Sequence, residues 1–180
     1  NNIPLYNVWF LLCMKEYFSK TGKVKEEYLE NAKETLCVLK KCVNEDGSLT
    51  FEKGDLRYNN PYYFDWPSHK TPDSVFACYA TTLYTMRQII NCAYFGAENI
   101  ALAKEIEEVL SKKTKENSGF KAISALGLLV DKSDKEQALK LIRNNGASGY
   151  SMFMTYFISK ALTENGYVQE AFDNNLQYYG

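Results

Sequence analysis

Asp65 and Trp66, adjacent in the run "YYFDWPSH", are the side chains in this sequence best suited to hold a sugar. A carboxylate accepts hydrogen bonds from hydroxyl groups, and an indole face packs against the apolar C–H face of a pyranose ring. A plainer use fits the same residues: Trp66 filling a gap between helix ends, Asp65 capping backbone N–H groups in a turn. His69 is the sole histidine, so any His-dependent triad or multi-His metal site would need it. It serves either as a partner to a cysteine nucleophile or as a hydrogen-bonded structural residue, and nothing in the sequence places a cysteine beside it. Tyr150 and Ser151 in "GASGYSMFMTYF" follow a glycine-rich turn at a helix start, where free N–H groups and the positive dipole end can line a site. The turn lacks the Lys-Ser/Thr of a phosphate loop, so core or capping use is the other reading. Met152, Phe153, Met154, Tyr156 and Phe157 read most simply as core.

Other acids sit in patterns such as "KEEYLENAKE" and "AKEIEEVLSKKTKE", the alternating charge of solvated helix faces. Asp55 and Arg57 in "KGDLRY" read as a turn residue and its solvated neighbour. No second carboxylate presents itself as a catalytic partner, so the sequence assigns no catalytic residue. The cysteines, Cys13, Cys37, Cys42, Cys78 and Cys92, are scattered, odd in number and set within apolar helical patterns. Without a C-x-x-C or a nearby histidine, they read as reduced core residues rather than zinc ligands or disulfides. No cofactor is called for by any motif.

Net charge is −1, with 21 basic and 22 acidic residues and no basic stripe, which argues against a nucleic-acid partner. No apolar run approaches the ~18 residues of a membrane span. Reduced cysteines, the absence of an N-x-S/T sequon and the lack of a signal peptide together predict a cytoplasmic protein.

Helical periodicity dominates the 180 residues. Leu5, Val8, Trp9, Leu12, Cys13 and Tyr17 recur at three- and four-residue steps, opened by Pro4 and stopped at Gly22. A second helix, about 25–43, carries Tyr28, Ala32, Leu36, Leu39 and Val43 on one face and ends at the turn "NEDGSL". Residues 48–70 lose the period and are rich in Gly, Pro, Asn and aromatics, as expected of a functional loop. Thr71 is the predicted N-cap and Pro72 the first residue of a long third helix, which carries Phe76, Tyr79, Ala80, Leu83, Met86, Ile90 and Ala93 and ends at Gly96. Five more helices are predicted at about 98–113, 119–130, 134–144, 149–165 and 167–178. The class is all-α, in antiparallel hairpins, with no tetratricopeptide or armadillo period.

The run "FDWPSHKTPD", followed by the long helical stretch "SVFACYATTLYTMRQIINCAYFGAENIALAKEIEEVL", resembles the bacterial α-L-rhamnosidase family. The opening hairpin with its "TGK" turn and "DG" exit, and the closing "GYSMFMTYFISKALTENGYVQEAFDNNLQYYG", are similar to hairpins of that family. The resemblance implies an (α/α)6 barrel, six helical hairpins closed into a ring, and inverting hydrolysis of terminal rhamnosides. It implies that residues 1–180 are a single segment of such a catalytic domain, truncated at both ends. The general acid would lie before this segment and the general base after it, leaving the segment inactive by itself. Asp65 and Trp66 would line the sugar pocket, with His69 at a less fixed position of the same loop; Tyr150, from its place at a predicted helix entrance, is taken as a further substrate-binding residue. An incomplete barrel would leave apolar helix faces open to self-association.

Two other functions fit the residues. One is a scaffold of helical hairpins that binds a protein partner, with residues 59–69 as the contacting loop. The other is a different sugar enzyme on the same ring of helices, such as a glucosidase, an unsaturated uronyl hydrolase or a phosphorylase.

Overall fold

The structure is a computed structural model that describes residues 4–51, 62, 64 and 73–180. Among these residues it is all-helical, with a lone antiparallel bridge between Val43 and Leu49 and no strand. Eight α-helices follow in order: α1 (Pro4–Thr21), α2 (Glu26–Lys41), α3 (Asp73–Ile90), α4 (Gly96–Leu110), α5 (Lys121–Leu129), α6 (Lys135–Arg143), α7 (Thr155–Glu164) and α8 (Val168–Tyr179). No described helix is long and apolar enough to cross a membrane.

Local chemistry accounts for several boundaries. Gly22, at φ +64°, stops α1 and its N–H donates to Phe18 O at 2.9 Å. Glu26 and Glu27 open α2 while Lys40 and Lys41 close it, each sign complementing the nearer end of the dipole. Asp134 caps α6 by accepting from the Gln137 N–H at 2.8 Å.

The third helix departs from expectation. It ends at Ile90, and Gly96 begins α4 instead of ending α3. Asn91 turns its side-chain amide onto Arg87 O at 2.9 Å, Cys92 N–H closes onto Ile89 O, and Ala93–Phe95 form a 3-10 turn. An asparagine amide competing for the last carbonyls ends the helix before the glycine is reached. Thr71 and Pro72 lie outside the described residues.

The chain forms two compact units, and the boundary passes through α3. The first unit comprises Asn1–Tyr62 and Thr81–Lys113. Here α2 packs along α4. Lys33 pairs with Glu98 and Lys40 with Glu105. Both rungs advance seven residues on each helix, so α2 and α4 run parallel. Buried Asn99 donates to Leu29 O and Phe95 O, both at 3.1 Å, fixing their register. Phe18 meets Phe95 edge-on at 5.3 Å between ring centroids, joining α1 to this core.

The second unit comprises Tyr63–Ala80 and Thr114–Gly180. Here α5 packs against both α6 and α7, and α7 against α8. Every residue of α5 from Lys121 to Gly127 is buried, whereas α6 and α8 bury only one side. Phe76 stacks on Tyr79 at 5.8 Å in this core.

Two packing expectations are corrected. Cys78 and Cys92 are buried, but Cys13 and Cys37 are exposed and Cys42 is half-buried; none of the five is in a disulfide. Cys13 lies beyond the apolar arc that Leu5, Val8, Leu12 and Met14 bury. Within residues 152–157, Met154 and Phe157 are buried, but Met152, Phe153 and Tyr156 are exposed. The 3-10 turn at Met152–Met154 breaks the helical period, so residues that would have shared a face do not.

Candidate functional site

In the second unit, the chain leading into α5 is tied to the first residue of α3. Ser118 Oγ donates to Asp73 Oδ2 at 2.6 Å, and the Gly119 N–H donates to the same oxygen at 3.2 Å. Ser118 Oγ also accepts from the Phe120 N–H at 3.0 Å, and Ser124 Oγ donates back to Ser118 O at 3.1 Å. Asp73 therefore serves two elements: its charge suits the start of α3, and its carboxylate orders the start of α5.

The next connection, between α6 and α7, is fixed from two sides. Lys121, the first residue of α5, is buried and its Nζ donates to Gly146 O at 2.7 Å. From α8, Gln177 Oε1 accepts from the Ala147 N–H at 2.8 Å. The phenol of Tyr178 donates to Tyr150 O, with the two rings 5.4 Å apart. Because the end of α8 reaches the residues before α7, these two helices are antiparallel. The start of α3, the start of α5 and the connection between α6 and α7 thus share one region of the second unit.

Two groups there carry unusual electrostatics. Lys121 lies 5.9 Å from the centroid of the Tyr150 ring and has no carboxylate within ion-pair distance among the described residues. Burial lowers its affinity for a proton. Tyr150 is buried, its hydroxyl is sealed from solvent, and it has no hydrogen-bond partner among the described residues. Desolvation, followed by the neighbouring Tyr178 and Tyr179, pushes its pKa up to about 12. The Thr155 hydroxyl at the start of α7 is likewise buried without a partner.

Tyr150 supports a pH prediction. An unfolded phenol ionises near 10.0 and the folded one near 12, so the folded chain holds more protons between those values. Stability then falls as pH rises through that window, by up to about 2 kcal/mol. Tyr150→Phe should abolish this fall. At neutral pH it should leave stability unchanged or raise it by about 1 kcal/mol or less, because the hydroxyl it removes satisfies nothing. Urea unfolding of both proteins from pH 7 to 11.5 measures the difference; parallel curves above pH 10 would refute the assignment.

Beside these connections runs an open groove of about 890 Å³, lined by Ser118, Gly119, Gln137, Lys140, Arg143 and Tyr167 among others. Arg143 stacks over the Tyr167 ring at 4.0 Å and makes a forked ion pair with Glu170. Glu170 holds Arg143 firmly protonated, and Arg143 lowers the pKa of Glu170. A cation already paired and stacked is suited to shaping a groove, not to transferring protons. Among the described residues, no group of three or more His, Cys, Asp or Glu side chains could hold a metal ion.

Of the residues singled out from sequence, Asp65, Trp66 and His69 lie outside the described residues, and Tyr150 lies in the connection between α6 and α7, beside the first residue of α5. Lys121 and the Asp73–Ser118 pair were missed. Lys121 had a legible signal: it is the only charged residue in the apolar run "GFKAISALGLL". No protein-family model, curated protein or solved structure matches this chain.

Proposed function

We propose that this chain is part of a glycoside hydrolase of the α-L-rhamnosidase type, built from helical hairpins of an (α/α)6 barrel and acting with inversion on terminal rhamnosides. The observation that supports the reading best is that the start of α3, the start of α5 and the connection between α6 and α7 lie together, since the sequence "FDWPSHKTPD" runs directly into α3 at Asp73. In this reading Asp65 accepts hydrogen bonds from sugar hydroxyls and Trp66 packs on the ring. The parallel run of α2 and α4 and the packing of α5 on alternate helix α7 suit hairpins laid side by side. The two catalytic carboxyls of the inverting reaction, about 6.5–9.5 Å apart to admit a water, belong to segments outside these 180 residues.

The test uses the longest reading frame containing the chain, assayed against a panel of aryl glycosides. The α-L-rhamnoside should be hydrolysed, and Asp65→Asn or Trp66→Ala should each lower kcat/KM by roughly 10–100-fold, the loss of one charge-assisted hydrogen bond or one stacked ring. Turnover of a different glycoside would keep the hydrolase and move the substrate. Unchanged rates in both variants would remove the site assignment.

A second reading, a helical scaffold for a protein partner, draws support from the apolar side chains exposed along α1 and α8. With no turnover of any glycoside by a well-folded parent, and with partner binding that survives Asp65→Asn, that reading would replace the first.

A further inference from the structure

Three dipeptides in this chain join a side-chain acid or amide to glycine: Asp46-Gly47, Asn145-Gly146 and Asn165-Gly166. Such pairs share a weakness. With no Cβ to hinder it, the glycine nitrogen can reach the side-chain carbonyl carbon of the residue before it. The structure restrains two of the pairs and leaves the third open. Asp46 is held as a carboxylate by the Ser48 hydroxyl and N–H, and the Gly47 N–H donates to Asn44 O at 2.9 Å. The Asn165 side-chain amide donates to Ala161 O at 2.8 Å, and the Gly166 N–H to Thr163 O at 3.1 Å. Asn145 is exposed, and among the described residues neither its side chain nor the Gly146 N–H makes a hydrogen bond.

We propose that Asn145 is a site of spontaneous covalent modification in the folded chain, converted to aspartate and isoaspartate. The Gly146 nitrogen gives its proton to hydroxide and bonds to Asn145 Cγ. The Cγ–Nδ2 bond breaks, and that nitrogen takes a proton from water and leaves as ammonia. A five-membered succinimide remains. Water opens the ring at one carbonyl to give aspartate, or at the other to give isoaspartate, in which the main chain runs through Cγ. The net change is one water taken up and one ammonia released.

The fold itself requires the labile pair. Asn145 and Gly146 lie at φ +59° and +52°, consecutive left-handed residues for which Asn-Gly is the favoured combination. A Cβ at position 146 would also overlap Gln177 Oε1. Resistance to the attack comes from the Asn145 carbonyl, which must turn with its peptide. It accepts from Ser148 Oγ at 2.8 Å, an exposed bond that water can replace. Isoaspartate lengthens the main chain by a methylene immediately before two anchors, the Lys121 Nζ bond to Gly146 O and the Ala147 N–H bond to Gln177. Displacing Gly146 takes the acceptor away from the buried ammonium of Lys121, which costs stability. The age of the chain is thereby written into its second unit.

The test incubates the 180-residue chain in mildly alkaline buffer at body temperature and follows it by tryptic digestion and mass spectrometry. Cleavage after Arg143 and Lys160 puts Asn145 and Asn165 in separate peptides, 144–160 and 161–180. Position 145 should pass from amide to acid at least about fivefold faster than position 165, with isoaspartate among its products. In denaturant the two rates should converge. Ser148→Ala, which releases the Asn145 carbonyl, should speed the reaction there by about 2–5-fold and leave Asn165 unchanged. Aged wild-type chain should unfold at lower urea than fresh chain, whereas Asn145→Gly, which keeps the positive φ, should show no such fall. Equal rates at the two sites in the folded chain, or a difference that persists in denaturant, would overturn the proposal. So would a rate at Asn145 unmoved by Ser148→Ala, or a converted chain as stable as the fresh one.

Discussion

Gly47→Ala should destabilise the first unit by about 2–4 kcal/mol, the sum of a strained backbone and a contact that cannot relax. Gly47 has φ +81°, in the left-handed region that an L-side chain enters only at a cost. It sits in a tight turn: Asn44 N–H bonds Ser48 O, Gly47 N–H bonds Asn44 O, and the Asp46 carboxylate accepts from the Ser48 N–H and hydroxyl. A Cβ on Gly47 would stand 2.8 Å from Val109 O, 3.0 Å from Lys113 N and 3.2 Å from Leu110 O. All three are backbone atoms at the end of α4 or in the turn just after it, so no side-chain rotation relieves the overlap. The turn would have to lift from the helix. Gly47→Asn separates the two causes, because asparagine accepts left-handed backbone yet brings the same Cβ. Chemical denaturation should find Asn nearly as damaging as Ala. An Asn variant close to wild type would mean that backbone strain dominates, and an Ala variant within about 0.5 kcal/mol of wild type would refute both causes.

Gly127→Ala is the second large effect, at about 1–3 kcal/mol, and here the backbone is ordinary helix. In an exposed helix this change stabilises by up to ~1 kcal/mol. In α5 the new methyl would overlap Ser133 Oγ and lie 3.0 Å from its Cβ and 3.3 Å from a ring carbon of Phe76. Ser133 is buried and its hydroxyl donates to Glu116 O at 3.0 Å. Moving the hydroxyl aside breaks that bond inside the protein and leaves the carbonyl to find another donor. Adding Ser133→Ala to Gly127→Ala should recover part of the loss, since the worst overlap disappears while the 3.0 Å approach to Cβ persists. A thermal melt of the single and double variants reads this coupling directly. Stabilisation by Gly127→Ala alone would show that α5 has room this packing denies.

How far the sequence disclosed this architecture depends on what each signal encodes. Gly22 and the "NEDGSL" turn were legible because a glycine needed at positive φ marks a stop by its own chemistry. The end of α3 was not, because apolar periodicity continues through Cys92 and Phe95 while the backbone has already tightened into a 3-10 turn. Periodicity records which side chains seek the core and is silent on which carbonyls an asparagine amide captures. The exposure of Met152, Phe153 and Tyr156 escaped for the same reason. At the candidate site, Tyr150 stood out as an aromatic at the start of a helix predicted from 149, but α7 begins only at Thr155 and Tyr150 lies in the connection before it. Its ring packs on Tyr178, 28 positions later, and no local pattern carries such a contact. Asp73 was readable as a dipole-complementing residue, but its bond to Ser118 joins positions 45 apart.

The interleaving of the two units bears on how the chain is made. The first unit closes on itself once residue 113 has been synthesised, whereas the opening of α3 belongs to the second unit and waits for α5 and α7. At about 5–20 residues per second, the ribosome needs roughly 4–17 s to travel from Ala80 to the end of α7 at Glu164. During that interval Phe76, Ala77 and Tyr79 have no finished core to enter. Until α7 is complete, this stretch of nascent chain stays open to a chaperone such as a ribosome-associated holdase.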